Sequence, residues 1–186
     1  MYARIPLIVA FVFAVFVSMS GYSTLAAPPA VEKEVPFGDK VGPAVTKYNR
    51  LRPNIATSGP LKEGAISELR SLGFATILDL RGPDEGTDVE KKVVEAAGLR
   101  YLNIPVTTTV PSDQQVAEFA RIIESATYFP LLIHCASANR VGAMWTLYLA
   151  QRGIPISIAV DEGRTIGMQR DREEAVLKHL GRPTGR

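Results

Sequence analysis

The sequence contains a single cysteine, Cys135, among its 186 residues. An intramolecular disulfide is therefore excluded, and with it a small scaffold held together by disulfide bonds. Histidine is almost as scarce: His134 and His179 lie too far apart in the sequence to suggest a metal-binding set. We expect neither a bound metal nor an organic cofactor.

An excess of charge of one sign is also missing. The chain carries 21 lysine and arginine residues against 19 aspartate and glutamate residues, and like charges nowhere form a run. Composition therefore gives no support for a nucleic-acid partner or a polybasic membrane contact. The apolar and charged fractions are typical of a globular protein, and the length suits one domain better than two.

Long apolar runs are limited to the N-terminal region, where Arg4 precedes an apolar stretch over residues 5–17. This stretch is shorter than the roughly 20 residues that span a bilayer, and small residues near Ala26 follow it. The order is typical of a cleaved signal peptide, which we expect over residues 1–27. It predicts a periplasmic or secreted protein that contacts the membrane only through the signal peptide before cleavage.

Apolar runs alternate with amphipathic stretches in the rest of the chain, which predicts a largely parallel sheet covered by helices. We expect residues 28–47 to form a linker, residues 48–181 one domain and residues 182–186 a tail. The predicted strands cover residues 54–57, 75–80, 99–106 and 131–134. The predicted helices cover residues 61–72, 88–97, 112–126, 141–152, 157–167 and 171–180.

One segment places a thiol, small residues and an arginine between the last predicted strand and an apolar helix. Backbone N–H groups in such a turn, together with the positive end of a helix, form a binding site for an anion. Arg140 can hold two oxygens of a tetrahedral oxyanion, and the same positive groups favour the thiolate form of Cys135. We therefore predict an oxyanion site whose amides come from Ala136, Ser137, Ala138 and Asn139.

The segment HCASANRVGAMW resembles a known family, as do the upstream segment IATSGPLKEGAISELRSLGFATILDLR and the strand ending in NIPV. The resemblance covers about residues 48–167 and is to the beta-lactamase hydrolase-like phosphatase domain, which is related to the dual-specificity and tyrosine phosphatases. It implies an α/β fold, a three-layer αβα sandwich of the cysteine-phosphatase type. In that fold a mostly parallel central sheet carries a phosphate-binding loop between a strand and a helix.

The same resemblance implies a role for each residue of the loop. Cys135 would be the nucleophile that forms a phosphocysteine, and Arg140 would clamp the phosphate. His134 would act from behind the loop, where it helps to set the thiolate and the loop geometry. The implied phosphate-binding residues are Ala136, Ser137, Ala138, Asn139, Val141 and Gly142.

Two features of the loop depart from the family pattern. Tyrosine phosphatases place five residues between the cysteine and the arginine, whereas four intervene here, a spacing that also occurs in rhodanese-like sulfurtransferases. Val141 occupies the position of a hydroxyl residue that assists breakdown of the phosphocysteine, unless Ser137 takes over that role. We therefore expect slow turnover.

A third departure concerns the general acid. The family places an aspartate in the region that corresponds to residues 106–111, which here contains no carboxylate. Asp84 and Glu85 follow another strand and are candidates, although they are equally typical of a solvated turn. Asp113 is better explained as a favourable charge at the start of a helix.

The function that the sequence favours is an exported cysteine-dependent phosphatase acting on phosphate monoesters, with phosphotyrosine among the candidate substrates. The alternatives are a catalytically weak module that binds phosphate or another oxyanion, and a rhodanese-like sulfurtransferase. We expect the pocket walls around residues 48–54 and 84–86. Asp161, Glu162 and Arg164 either reach the site or form a solvated helix face, and Trp145 and Tyr148 are expected in the core.

Overall fold

The three central strands of the sheet are buried along their whole length. The computed structural model describes residues 41–181, so the predicted signal peptide and tail lie outside the described residues. The strands are β1 (Asn49–Arg52), β2 (Ile55–Ser58), β3 (Thr76–Asp79), β4 (Arg100–Asn103) and β5 (Leu131–His134). The helices are α1 (Ala65–Ser71), α2 (Thr87–Ala96), α3 (Asp113–Ile123), α4 (Asn139–Gln151), α5 (Ile156–Ile166) and α6 (Arg170–His179).

The strands form one sheet in the order β1-β2-β5-β3-β4, in which β1 is antiparallel and the other neighbours pair in parallel. The register aligns the last residue of each parallel strand: His134 pairs with Ser58 and Asp79, and Asp79 pairs with Asn103. Polar residues therefore gather at the carboxyl edge of the sheet. Ligands bind at this edge in open α/β sheets.

Successive strand residues point to opposite faces of the sheet, and each face is covered by helices. Ile77 and Leu132 pack with α1 and α2. Leu78 and Ile133 pack with α3, α4, α5 and α6 on the other face. The predicted three-layer αβα sandwich with a mostly parallel sheet is thereby confirmed.

The aromatic side chains on α4 lie in the core, as the sequence predicts. Trp145 and Tyr148 are only 2% and 4% exposed, and each meets the ring of Phe119 edge to face. No helix within residues 41–181 is both long and apolar enough to span a bilayer.

The domain begins earlier than the predicted boundary at residue 48. Val45 is buried and forms a β-bridge with Leu61, and the amide of Lys62 donates to the carbonyl of Ala44. The described part of the predicted linker, residues 41–47, therefore packs on the domain. The same bridge holds residues 61 and 62 extended, which explains why α1 starts at Ala65 rather than at residue 61.

A close contact between two glycines sets the distance between α4 and α5. A Cβ atom on Gly163 would collide with Oγ1 of Thr146 and lie 2.9 Å from the carbonyl oxygen of Gly142. A Cβ atom on Gly142 would collide with the carbonyl oxygen of Gly163 and lie 2.8 Å from Cβ of Met168. The two helices can therefore pack this closely only with glycine at both positions.

Gly163→Ala is expected to lower the free energy of unfolding by about 1–3 kcal/mol, because the added methyl group must push α5 away from α4. The measurement is urea unfolding followed by circular dichroism. Thr165→Ala, on the exposed side of α5, is the matched control and should change stability by less than about 0.5 kcal/mol. Equal stability of the two variants would contradict this account of the contact.

Candidate active site

Four residues, from Cys135 to Ala138, connect the end of β5 to the start of α4. His134 and Cys135 are adjacent in sequence but face opposite sides of the sheet. Nε2 of His134 lies 2.8 Å from a carboxylate oxygen of Glu90 in α2. Cys135 belongs to the core beneath α3 to α6 and is fully buried. Any influence of His134 on the thiol must therefore pass through the backbone and the loop.

The amides of the connection are left without protein acceptors. Ala138 adopts a left-handed conformation, with φ of 66°, and its carbonyl accepts the first hydrogen bond of α4, from the amide of Gly142. Within residues 41–181, the amides from Ala136 to Val141 donate to no protein acceptor. These N–H groups at a helix N-terminus are therefore available to an anion.

Gly142 is the exception in the predicted phosphate-binding set. Its amide already donates to the carbonyl of Ala138 at 3.0 Å, and its α-carbon packs against Gly163 of α5. The prediction that Gly142 contacts phosphate is corrected by this geometry. A glycine is required at this position by the close packing of α4 against α5.

Arg140 reaches from the first turn of α4 across the carboxyl edge of the sheet. Its Nη1 donates to the carbonyl of Val106 at 3.2 Å and to Oε2 of Glu85 at 2.6 Å. Its Nη2 donates to Oε1 of Glu85 at 2.5 Å. The guanidinium thus holds two carboxylate oxygens, which is the grip that it would give two oxygens of a phosphate.

Glu85 lies in a 3-10 turn, Pro83–Glu85, and its carboxylate is paired with Arg140. Hydrogen bonds from Arg140 lower the pKa of Glu85 to about 2, so its carboxyl group is ionised at neutral pH. An ionised carboxylate cannot act as a general acid. In this structure Glu85 therefore fills the fork of Arg140 and does not serve as a proton donor while that pair persists; its candidacy as the general acid stays a prediction.

The other two candidate acids have different surroundings. Asp84 lines the same cavity as Arg140. Asp113 is the first residue of α3, after the Ser112 cap, and lies 3.4 Å from Nε2 of His179. This position supports the interpretation of Asp113 as a charge that stabilises the helix start.

Behind the loop, a buried charge network surrounds His134. Asp79 is fully buried and accepts hydrogen bonds from Nε and Nη2 of Arg81 and, at 2.9 Å, from the hydroxyl of Tyr101. Arg81 also donates to Glu90 at 2.6 Å. Burial alone would raise the pKa of Asp79, but hydrogen bonds from Arg81, the electrostatic attraction of His134 and the charge of Arg81 together lower it below its usual value. Asp79 is therefore a permanent charge at the edge of the sheet.

Asp79, Glu90 and His134 bring three atoms of the metal-ligand type within 4.8 Å of one another. The guanidinium of Arg81 already contacts both carboxylates, at 2.8 Å and 2.6 Å. A metal ion here would have to bind beside that positive charge. The donor set therefore fits an arginine-neutralised network better than a metal centre.

A cavity of about 420 Å³ opens beside Arg140. Its walls are residues 82–85, residues 106–109, the loop residues Ser137 and Asn139, and Arg172 of α6. The expected wall at residues 84–86 is partly present, since Asp84 and Glu85 line the cavity, whereas residues 48–54 do not.

Asp161 and Arg164 pair with each other on the surface of α5, and Glu162 accepts a hydrogen bond from Trp145, so the solvated-face interpretation of this turn holds.

Sequence reasoning missed Arg172 and the network around Asp79. A carboxylate inside the apolar strand segment TILDL was a signal that Asp79 needed buried partners. Arg172 offered no signal, because only the packing of α6 brings it to the cavity. Lys47 was also missed, because it falls in the predicted linker. Its Nζ donates to the carbonyl of Ser137 at 3.2 Å.

The family model for PTP-NADK, described as DSP-PTPase phosphatase fused to NAD+ kinase, matches residues 50–178. The chain belongs to this family of DSP-PTPase phosphatases. A beta-lactamase hydrolase-like protein of Xylella fastidiosa is 28% identical over 141 residues, which are 73% of this chain and 30% of that protein. A protein named as a chloroplastic NAD kinase 2 of Oryza sativa subsp. japonica is 30% identical over 102 residues, 50% of this chain and 10% of that protein. The chain thus spans less than a third of the length of these relatives.

Solved structures share the fold at low sequence identity. The core catalytic domain of a PP-IP phosphatase from S. cerevisiae superposes with a TM-score of 0.61 and 17% identity, over 74% of this chain and 87% of that one. TpbA of P. aeruginosa gives a TM-score of 0.60 and 20% identity, over 80% of this chain and 91% of that one. The predicted relationship to dual-specificity and tyrosine phosphatases is confirmed.

Asp79→Asn is expected to lower the free energy of unfolding by about 3 kcal/mol at neutral pH, because it leaves Arg81 without its buried partner. Tyr101→Phe removes one hydrogen bond to the same carboxylate and should cost about 1.5 kcal/mol. Because the pKa of Asp79 is lowered on folding, its contribution is fully present above its unfolded pKa of about 3.9 and is lost progressively as the pH falls from there through the lower folded pKa. Urea unfolding at neutral pH and near pH 3 checks this; an Asp79→Asn penalty that is the same at both would contradict it.

Glu85→Gln is expected to tighten binding of inorganic phosphate about fivefold, since the competing carboxylate is removed from a partly exposed ion pair. Because the pKa of Glu85 is about 2, the gain should be constant from about pH 5 to 8. Titration calorimetry measures the affinity. Asp84→Asn, which removes a neighbouring charge that forms no hydrogen bond with Arg140, is the control; an equal gain in both variants would show a general charge effect instead.

Proposed function

We propose that this chain hydrolyses phosphate monoesters through a phosphocysteine formed on Cys135. The observation that carries the proposal is the set of amides over residues 136–141, which have no protein acceptor in the described domain and lie beside Cys135 and Arg140. Together they offer a tetrahedral oxyanion several N–H donors and a positive charge. Membership of the DSP-PTPase family supports the same chemistry.

In the first step the thiolate of Cys135 attacks phosphorus, and the bond from phosphorus to the leaving oxygen breaks. The loop amides and Arg140 hold the remaining oxygens during the transfer. In the second step a water molecule attacks the phosphocysteine, the P–S bond breaks, and the water proton passes to solvent. Val141 stands where a hydroxyl would assist, so we expect the second step to be slow.

Substrate binding must first displace Glu85. In this structure Glu85 fills the fork of Arg140, and Cys135 is fully buried. We expect a substrate to take the place of Glu85 on Arg140 and the thiol to become accessible as it binds. A phosphate dianion carries more charge than a carboxylate and can use the loop amides as well. It is therefore the stronger partner for Arg140.

TpbA has been solved in complex with pTyr, which makes phosphotyrosine one candidate. The leaving phenolate of phosphotyrosine has a pKa of about 10 and benefits from a proton donor. Since no residue is established as the proton donor, we expect activated aryl phosphates to be cleaved much faster than phosphotyrosine.

A module that binds phosphate without turnover is the second candidate function. It is favoured by one specific observation: Glu85, one of the two carboxylates that line the cavity, is paired with Arg140 instead of being free to donate a proton. This candidate predicts affinity for phosphate without hydrolysis of any ester.

We also propose that the protein is exported, to the periplasm or the medium. The support is the order of Arg4, an apolar stretch over residues 5–17 and small residues near Ala26. Intact-mass spectrometry of the protein from its native host tests this. A mass that begins near Ala27 would support export, and a mass that includes Met1 would contradict cleavage.

The test of the catalytic proposal is hydrolysis of an activated aryl phosphate by the purified, reduced protein. Cys135→Ser should abolish turnover while phosphate binding persists, and Arg140→Lys should lower kcat/KM about a hundredfold because lysine cannot provide the fork. Glu162→Gln, in α5 and outside the cavity, is the control and should retain activity. Turnover that survives in Cys135→Ser would sink the mechanism, and phosphate binding without turnover in the wild type would favour the binding module.

A further inference from the structure

A second arginine lies in the wall of the cavity beside Arg140. Arg172, from the first turn of α6, lines the cavity together with the three threonines at residues 107–109. Its Nη1 donates to the carbonyl of Thr108 at 3.1 Å and to the carbonyl of Thr109. These two contacts hold the guanidinium at the rim of the site.

The charge of Arg172 has no direct partner. Arg140 is paired with Glu85, but no carboxylate in the described part of the chain lies within 4 Å of the Arg172 guanidinium. Its Nη2 donates to no acceptor within residues 41–181, and its Nε is buried without an acceptor. The N–H groups of Nη2 are therefore available to a ligand.

This arrangement is costly without an anion. Burial, and then the neighbouring charge of Arg140, lower the pKa of Arg172 below its ordinary value, although arginine stays protonated at neutral pH. A half-buried cation next to another cation is stabilised when an anion binds between or beside them. Once a phosphate replaces Glu85 on Arg140, Arg172 remains as a second positive group in the same cavity.

The lack of a positioned general acid also has a consequence for the leaving group of the substrate. The carboxylates that line the cavity are Asp84 and Glu85, and no contact within residues 41–181 places either of them as a proton donor to a leaving group. A leaving group that departs as a stabilised anion needs no proton from the protein. A phosphate leaving group meets that condition, and Arg172 is placed to neutralise its charge.

We propose that the substrate carries a second phosphate group next to the one that is transferred, and that Arg172 binds this second group. The inference rests on the proposed phosphatase function and names its substrate class. The second group can belong to a phosphoanhydride or to a neighbouring phosphate monoester. With an anhydride, the thiolate of Cys135 attacks the terminal phosphorus, the bond from phosphorus to the bridging oxygen breaks, and the electron pair leaves with the departing phosphate.

The first test measures binding, which needs no turnover. On the Cys135→Ser background, titration calorimetry compares inorganic phosphate with pyrophosphate for the parent protein, Arg172→Gln and Arg170→Gln. Arg170→Gln is the matched control. It removes the same charge from α6, but the Arg170 side chain is 80% exposed and pairs with Glu174. Thermal unfolding of each variant checks that it is folded.

We expect pyrophosphate to bind about tenfold more tightly than phosphate, and Arg172→Gln to remove most of that preference while phosphate affinity changes by less than about threefold. Arg170→Gln should leave the preference intact, and Arg172→Lys, which keeps the charge but not the fork, should retain part of it. An equal loss for both ligands in Arg172→Gln, or no loss for either, would overturn the inference.

The second test separates the two sources with the wild-type protein. The values of kcat/KM for ADP, an anhydride, and for 2,3-bisphosphoglycerate, a pair of adjacent monoesters, are compared with that for an aryl monophosphate. A preference for either bisphosphate that Arg172→Gln abolishes supports the inference and identifies the source. Equal kcat/KM values for all three substrates would overturn the inference. If the wild-type protein cleaves none of them but binds pyrophosphate through Arg172, only the phosphatase function is refuted.

Discussion

The short connection between β5 and α4 is the constraint on which the rest of the site depends. Four residues must take the chain from a fully buried strand into a helix that packs on the same sheet. The turn is completed by the left-handed conformation of Ala138, which leaves the amides that follow Cys135 without protein acceptors. Such a turn is stable where an anion can accept those hydrogen bonds, so the fold itself presents a row of free N–H donors.

Positive charge around the loop is balanced differently on the two faces of the sheet. Behind the loop, Arg81 is neutralised by Asp79 and Glu90, and this network surrounds His134. At the cavity, Arg140 is neutralised only by Glu85, a partly exposed side chain on a short 3-10 turn. The first set is structural because its members are buried, whereas the second can be exchanged for a ligand.

The close approach of α4 and α5 links this chemistry to the core. Gly142 and Gly163 let α5 lie against the first turns of α4, and the chain then continues through Gly167 to α6. A Cβ atom on Gly167, whose φ is 135°, would lie 3.0 Å from Cβ of Ala138. The loop is thus supported from below by the same helices that bring Arg172 to the cavity.

The sequence predicts the parts of this arrangement that are local. The strand at residues 131–134, the loop, the core position of Trp145 and the αβα layers all follow from periodicity, residue type and the family resemblance. Edge strand β1 was missed because its residues are only partly buried and show no apolar run. The ion pair of Glu85 with Arg140 and the place of Arg172 depend on contacts 55 residues apart and on the packing of α6, which no local pattern encodes.

The most direct test of the account is an acid quench of the wild-type reaction with an activated aryl phosphate, followed by mass spectrometry of the peptide that contains Cys135. Because Val141 offers no hydroxyl to assist breakdown, the account predicts that one phosphoryl group accumulates on Cys135 during turnover. Cys135→Ser protein treated in the same way should carry none. Sustained hydrolysis with no phosphoryl group on Cys135 would contradict the account.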